Sequence, residues 1–119
     1  MPLKIIQRAR GFTPNLYFNV PFKVMLEYQV RRGSKLICTF NKVYEEAGGS
    51  AREVGVDVTC NVEVRDGRFY LPSDTVRILN LTGTEYCEII VQKLIKPDGE
   101  EVELYPGEEV EVKLAPKPA

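Results

Sequence analysis

Hydrophobic and polar positions alternate most cleanly over residues 56–65, Val-Asp-Val-Thr-Cys-Asn-Val-Glu-Val-Arg. That is the period of a half-buried strand. Residues 3–10, 35–43 and 86–95 read as further strands, and 16–20 and 68–71 are short β-rich runs. Each short run ends at a proline, Pro21 or Pro72, which removes a ladder donor and suits the first helical position. Residues 22–29 and 73–80 then read as helices of about two turns, too short to stand alone. Val24/Met25 and Tyr28 mark the apolar face of the first, and Val76 and Leu79 that of the second. Gly33 and Gly83 mark the turns back into strands. Asp66-Gly67 predicts a tight hairpin turn, Pro97-Asp98-Gly99 another, and Pro106-Gly107 a third. Residues 101–105 continue the sheet and 109–114 add an edge strand, while 45–51 read as a loop.

The order strand, proline, short helix, glycine, strand occurs twice. Pro21 aligns with Pro72, Phe18 with Phe69, Val20 with Leu71, Tyr28 with Leu79 and Val30 with Leu81. Gly33 aligns with Gly83 if one residue is dropped from the second loop. The expected organisation is one domain over 1–114, with a first repeat at 1–50, a second at 51–106, an extra strand at 107–114 and a tail at 115–119.

Composition adds limits. With 119 residues, 44% hydrophobic and 28% charged, the chain suits one globular domain with its own core. No apolar run approaches the roughly 20 residues of a membrane helix, and the start, Met1 to Arg8, is too charged for a signal peptide, so a cytoplasmic location is expected. Cys38, Cys60 and Cys87 lie in apolar strand runs and read as small buried hydrophobes. The chain has no histidine, no GxSxG and no Walker loop, and neither a catalytic residue nor a metal ligand nor a cofactor is assigned. The acidic run from Asp98 to Glu111 lacks calcium-loop spacing and reads as an exposed edge strand.

Net charge is −1 but unevenly spread. Residues 1–52 hold nine basic and three acidic side chains, and the rest hold seven and fourteen. A two-faced surface and a basic half docked on an acidic half are both consistent with this.

The second unit, Asp66-Gly67-Arg68-Phe69-Tyr70-Leu71-Pro72 followed by Leu79-Asn80-Leu81-Thr82-Gly83, resembles the AbrB/MazE/SpoVT family of swapped-hairpin barrels. The first resembles it through Val20-Pro21, Tyr28-Gln29-Val30 and Arg31-Arg32-Gly33, but has Asn15-Leu16-Tyr17 where the family has its turn glycine and arginine. The resemblance implies an all-β, cradle-loop barrel with two short helices, two fused copies doing the work of a dimer. It also implies a transcriptional regulator that contacts double-stranded DNA. The residues it singles out are Arg10, Arg68 and Arg77, with Arg8 and Arg65 as neighbours and Lys4 and Lys23 as possible additions. The first-copy equivalents of Arg68 and Arg77 are Tyr17 and Leu26, so half of a symmetric footprint is missing. Arg31-Arg32 reads as a solvated turn pair. Phe12, Tyr17, Phe18, Phe22, Phe69 and Tyr70 gather near the strand–helix corners, where core packing is expected over base stacking. The competing reading is a non-enzymatic protein-interaction barrel, or a homo-oligomer, without DNA; no small-molecule substrate and no membrane partner is evident.

Overall fold

The computed structural model describes residues 3–45, 50–106 and 110–114, and side chains up to 106. In chain order the elements are β1 (Leu3–Arg8), β2 (Arg10–Phe12), β3 (Asn15–Asn19), α1 (Phe22–Glu27), β4 (Lys35–Tyr44), β5 (Ala51–Glu63), β6 (Arg68–Tyr70), α2 (Ser73–Ile78), β7 (Tyr86–Ile95), β8 (Glu101–Glu103) and β9 (Val110–Leu114). The chain is thus mostly β with two short helices. The strands form one sheet in the order β2-β3-β6-β5-β4-β7-β1-β9, with β8 on β7. Pairing is antiparallel except between β1 and β9, which run parallel.

The expected opening strand 3–10 is broken at Ala9, whose N–H donates to the Glu85 carbonyl at 2.9 Å. Before that break the strand pairs with β7, and after it with β3. The path of the sheet therefore leaves β2 and comes back to β1, and the sheet is curled like a barrel.

Alternation decides what lies inside. Leu16, Phe18, Leu36, Cys38, Phe40, Cys60, Phe69, Ile89 and Val91 are buried in one core. Phe18 sits between Phe40 and Phe69, with ring centroids 5.7 Å away in each case. Burial of each such ring contributes about 1.5–3 kcal/mol. The alternation slips by one residue in two places. Inward positions run Leu36, Cys38, Phe40 and then Val43, and likewise Cys87, Ile89, Val91 and then Leu94. The ladder between β4 and β7 shifts register at both points. A β-bulge re-aims a strand in this way and sharpens its bend.

The helices are shorter than expected. Pro21 and Pro72 sit at the N-cap with extended ψ of 137° and 145°, one position before the first helical residue. Neither glycine ends a helix. Gln29 (φ 47°) and Asn80 (φ 54°) take the left-handed conformation instead. Val30 N donates to Met25 O at 3.3 Å and Leu81 N to Val76 O at 3.0 Å, while Gln29 N and Asn80 N reach Leu26 O and Arg77 O. Both are Schellman closures, which satisfy the last helical carbonyls. Arg52 adds a side-chain cap, its Nη2 donating to Leu79 O at 2.9 Å.

Gln29 and Asn80 are 51 residues apart, as are the starts of β4 and β7 and the paired core rings Phe18 and Phe69. The connections from α1 to β4 and from α2 to β7 are equally long. The shortened second loop expected from the sequence is absent, and Gly33 and Gly83 stand one position out of step. Of the expected loop at 45–51, Ala51 already belongs to β5, and 46–49 lie outside the described residues, as does the tail at 115–119.

Candidate nucleic-acid interface

Because Leu16, Phe18 and Phe69 point into the core, Tyr17 and Tyr70 point outward. The register places Arg10 directly opposite Tyr17, Tyr17 opposite Tyr70, and Tyr70 opposite Asn61. One row across four strands thus carries an arginine and two tyrosines on the outer surface. The two tyrosine rings lie 5.4 Å apart and tilted by 47°. The Arg68 guanidinium lies 4.2 Å from the centre of the Tyr17 ring, and its Nη1 donates to the Tyr70 hydroxyl at 3.4 Å. That hydrogen bond raises the guanidinium's already high pKa, against the opposing effect of burial. Stacking on a ring and a hydrogen bond to a second ring hold the long side chain in one pose.

A second row begins on the other side of Ala9. Arg8 opposes Tyr86, and Tyr86 opposes Tyr44. Arg8 is exposed and both tyrosines are half-buried, on the outer side of the sheet.

The other two arginines expected to reach DNA, Arg65 and Arg77, lie at the two ends of the β2–β3–β6 ribbon. Arg65 is exposed in the β5–β6 turn, where Gly67 has φ 64° and its carbonyl accepts Val20 N at 2.7 Å. That end adjoins α1. Arg77 projects from α2 into an open cleft of about 480 Å³ that also involves Thr13, Pro14, Ser73, Asn80 and Thr82. This is the β2–β3 turn, at the opposite end. So the structure brings Arg10 and Arg68 to one tyrosine, leaves Arg8 at the head of a neighbouring row, and separates Arg65 from Arg77. The two additional lysines are engaged locally: Lys4 with Glu88 at 3.2 Å, and Lys23 with Glu27 at 3.8 Å and near the Tyr105 ring at 5.1 Å.

Core packing holds for Phe18 and Phe69 but not for the whole aromatic group. Phe12 is 89% exposed and Phe22 75%. The alternation Leu16-Tyr17-Phe18 already separates an outward tyrosine from two inward neighbours. Tyr44 and Tyr86 carry no such signal in the sequence, since their row exists only through pairing between distant strands.

The cysteines are free and buried. The Cys38 thiol is pushed well up by its hydrogen bond with Cys60 and by burial, and Cys87 is pushed up to about 12, chiefly by burial. Such thiols are not nucleophiles near neutral pH. In the acidic run, Glu101 pairs with Lys93 at 3.6 Å and Glu100 with Lys96 at 3.8 Å. Among the described residues no group of three or more Cys, Asp or Glu side chains is placed to hold a metal ion, and no helix is long and apolar enough to cross a membrane.

No family model matches the chain, and no curated protein or solved structure is significantly similar to it.

Proposed function

We propose that the chain is a regulator of AbrB type that binds duplex DNA through the outward face of the β2–β3–β6 ribbon. The observation that carries this reading is the Arg68 guanidinium held over Tyr17, with Arg10 directly across the strand pair. A β-ribbon is narrow enough to enter the major groove, and phosphate contacts from fixed arginines set its register there. Arg8 and Arg65 extend the contact along the backbone, and Arg77 meets phosphates beyond the β2–β3 turn. Features recurring at a spacing of 51 residues support two swapped-hairpin units fused in one chain. So does the interleaving: β1, from the first half, pairs with β7 from the second, and β4 pairs with both β5 and β7.

Fluorescence anisotropy with a mixed-sequence duplex at about 50 mM salt tests the proposal, because electrostatic affinity is strongest at low salt. Saturable, salt-sensitive binding that weakens in Arg10→Ala and Arg68→Ala is expected. No binding under those conditions overturns it.

A second reading, a protein-interaction barrel without DNA, is favoured by Phe22 and Leu26. They are 75% and 61% exposed and lie one turn apart on α1. Sedimentation velocity over a concentration series checks it through self-association: a sedimentation coefficient that rises with concentration, and no longer does in Phe22→Asp, speaks for this reading.

A further inference from the structure

The connection from α2 to β7 is built around a carboxylate. Glu85 is 2% exposed, and Thr82 N donates to both of its oxygens at 3.0 Å. Gly83 N and Thr84 N donate at 3.0 and 3.1 Å, and the Thr82 hydroxyl at 2.8 Å. Three successive amides turned toward one point form a concave anion site, here filled from within the chain.

The position 51 residues earlier is Ser34, at the matching place before β4. A serine is too short to reach back as Glu85 does. The turn closes instead on its own backbone, Ser34 N donating to Arg31 O at 3.1 Å with Gly33 at φ 89°. Among the described residues, no carboxylate accepts from the amides of Arg31, Arg32 or Gly33.

A cleft of about 400 Å³ opens at this place, between the α1–β4 connection and the β7–β8 turn. Tyr28, Gln29, Arg31, Ser34, Lys96 and Asp98 line it. Its walls are fixed. The Tyr28 hydroxyl accepts Tyr105 N at 2.6 Å, Gln29 is the left-handed residue of the helix closure, and Pro97 stands 3.5 Å from where a Cβ on Gly33 would lie. Ser34 is 2% exposed. Asp98 is turned toward its own loop, Oδ1 accepting Glu100 N at 2.9 Å, and Lys96 pairs with Glu100 at 3.8 Å, an exposed pair that an anion in the cleft competes with. Two cations, a hydroxyl and an amide side chain therefore line the cleft, with Asp98 held in its own loop, beside the position that matches the carboxylate-bearing residue of the other half.

We propose that this cleft binds a small molecule bearing an oxyanion, a carboxylate or a phosphate, held by Arg31, Lys96 and Ser34. The external anion does for the first half what Glu85 does for the second. The site is separate from the arginine rows on the outer face of the sheet and does not depend on DNA binding.

The test is a two-dimensional amide NMR titration of the full chain with inorganic phosphate and, separately, with malonate, both at low salt. Saturable shifts are expected at 31–34 and 96–99 and not at 82–85, and the probe that saturates at the lower concentration identifies the anion. Arg31→Gln and Lys96→Gln each weaken binding about tenfold, as loss of a charge-assisted hydrogen bond does. Ser34→Glu supplies an internal carboxylate and abolishes the response to both probes. The two surface variants carry the test even if Ser34→Glu fails to fold. The proposal is overturned by the lack of a saturable shift up to about 20 mM of either probe, a concentration well above a millimolar Kd. It is equally overturned by shifts centred elsewhere, or by unchanged affinity in both glutamine variants. Arg10→Ala and Arg68→Ala, which weaken DNA binding, leave this titration as it is.

Discussion

The side chain of Gln7 takes both backbone groups of Asn19, its Nε2 donating to the carbonyl at 3.1 Å and its Oε1 accepting the amide at 2.6 Å. Gln7 is 1% exposed, in β1, and Asn19 ends β3. These strands share no ladder, so one side chain supplies the bonds that a neighbouring strand would have made.

Gln7→Leu keeps the bulk but leaves a buried donor and acceptor unpaired. A loss of about 2–4 kcal/mol is expected from two such groups, read by urea denaturation followed by circular dichroism. A loss below about 0.5 kcal/mol shows that Asn19 finds other partners.

Glu85 predicts a pH dependence. Burial alone raises its pKa, but the Thr82 hydroxyl and the amides of Thr82, Gly83 and Glu85 itself outweigh it, and the carboxyl titrates below its ordinary value. A group depressed in the folded state contributes its stability above its unfolded pKa, about 4.3, and loses it as pH falls through the folded value. At pH 7, Glu85→Gln is expected to cost about 1–3 kcal/mol. The gap between parent and variant stays constant from about pH 7 to 5.5 and narrows below pH 4. A gap that is instead constant down to pH 3 contradicts the assignment.

The thiols give a probe of opening. Cys38, Cys60 and Cys87 are at 0% exposure, with Cys87 held near 12. At pH 8 an alkylating reagent should modify them only as fast as the sheet opens, and together, with labelling rates that follow stability across the variants above. Fast labelling of any one in native buffer shows that the core opens locally there.

Tyr17 and Arg68 separate positioning from charge. Arg68→Ala removes a cation and should lower the slope of log affinity for duplex against log salt by about 1. Tyr17→Leu removes the ring but no charge, so affinity should fall several-fold with the slope unchanged. Equal slopes in both variants mean that Arg68 does not meet a phosphate.

Local chemistry carried much of the fold. Pro21 and Pro72 stop the short strands, Asp66-Gly67 turns the hairpin, and the alternation over 56–63 lies in β5, while Val64 and Arg65, expected in the strand, belong to the turn. What escaped depends on partners far along the chain. The bulges at Asn41 and Gln92 are set by pairing between β4, β5 and β7, and a polar residue in a strand gives no hint of an extra position. Asn80 carried a weak signal for the left-handed helix closure, since asparagine tolerates that conformation, whereas Gln29 carried none. At the outer surface, arginines were visible as charges, but the tyrosines that order them emerge only once the strand register is known. The cleft at Ser34 was illegible for a related reason: it shows only beside Glu85, which fills the matching place.

The break at Ala9 makes one stretch of chain serve one end of the sheet path as β2 and, as β1, the place next to its other end. The join between β1 and β2 is covalent, so this seam cannot slip in register as a seam made of hydrogen bonds can. Cutting the chain between Arg8 and Arg10, as in a circular permutant with new ends there, would turn the seam into two free strand ends while leaving every ladder partner in place. The curl would then rest on the grip of Gln7 on Asn19, the core rings and the bulged strands β4 and β7.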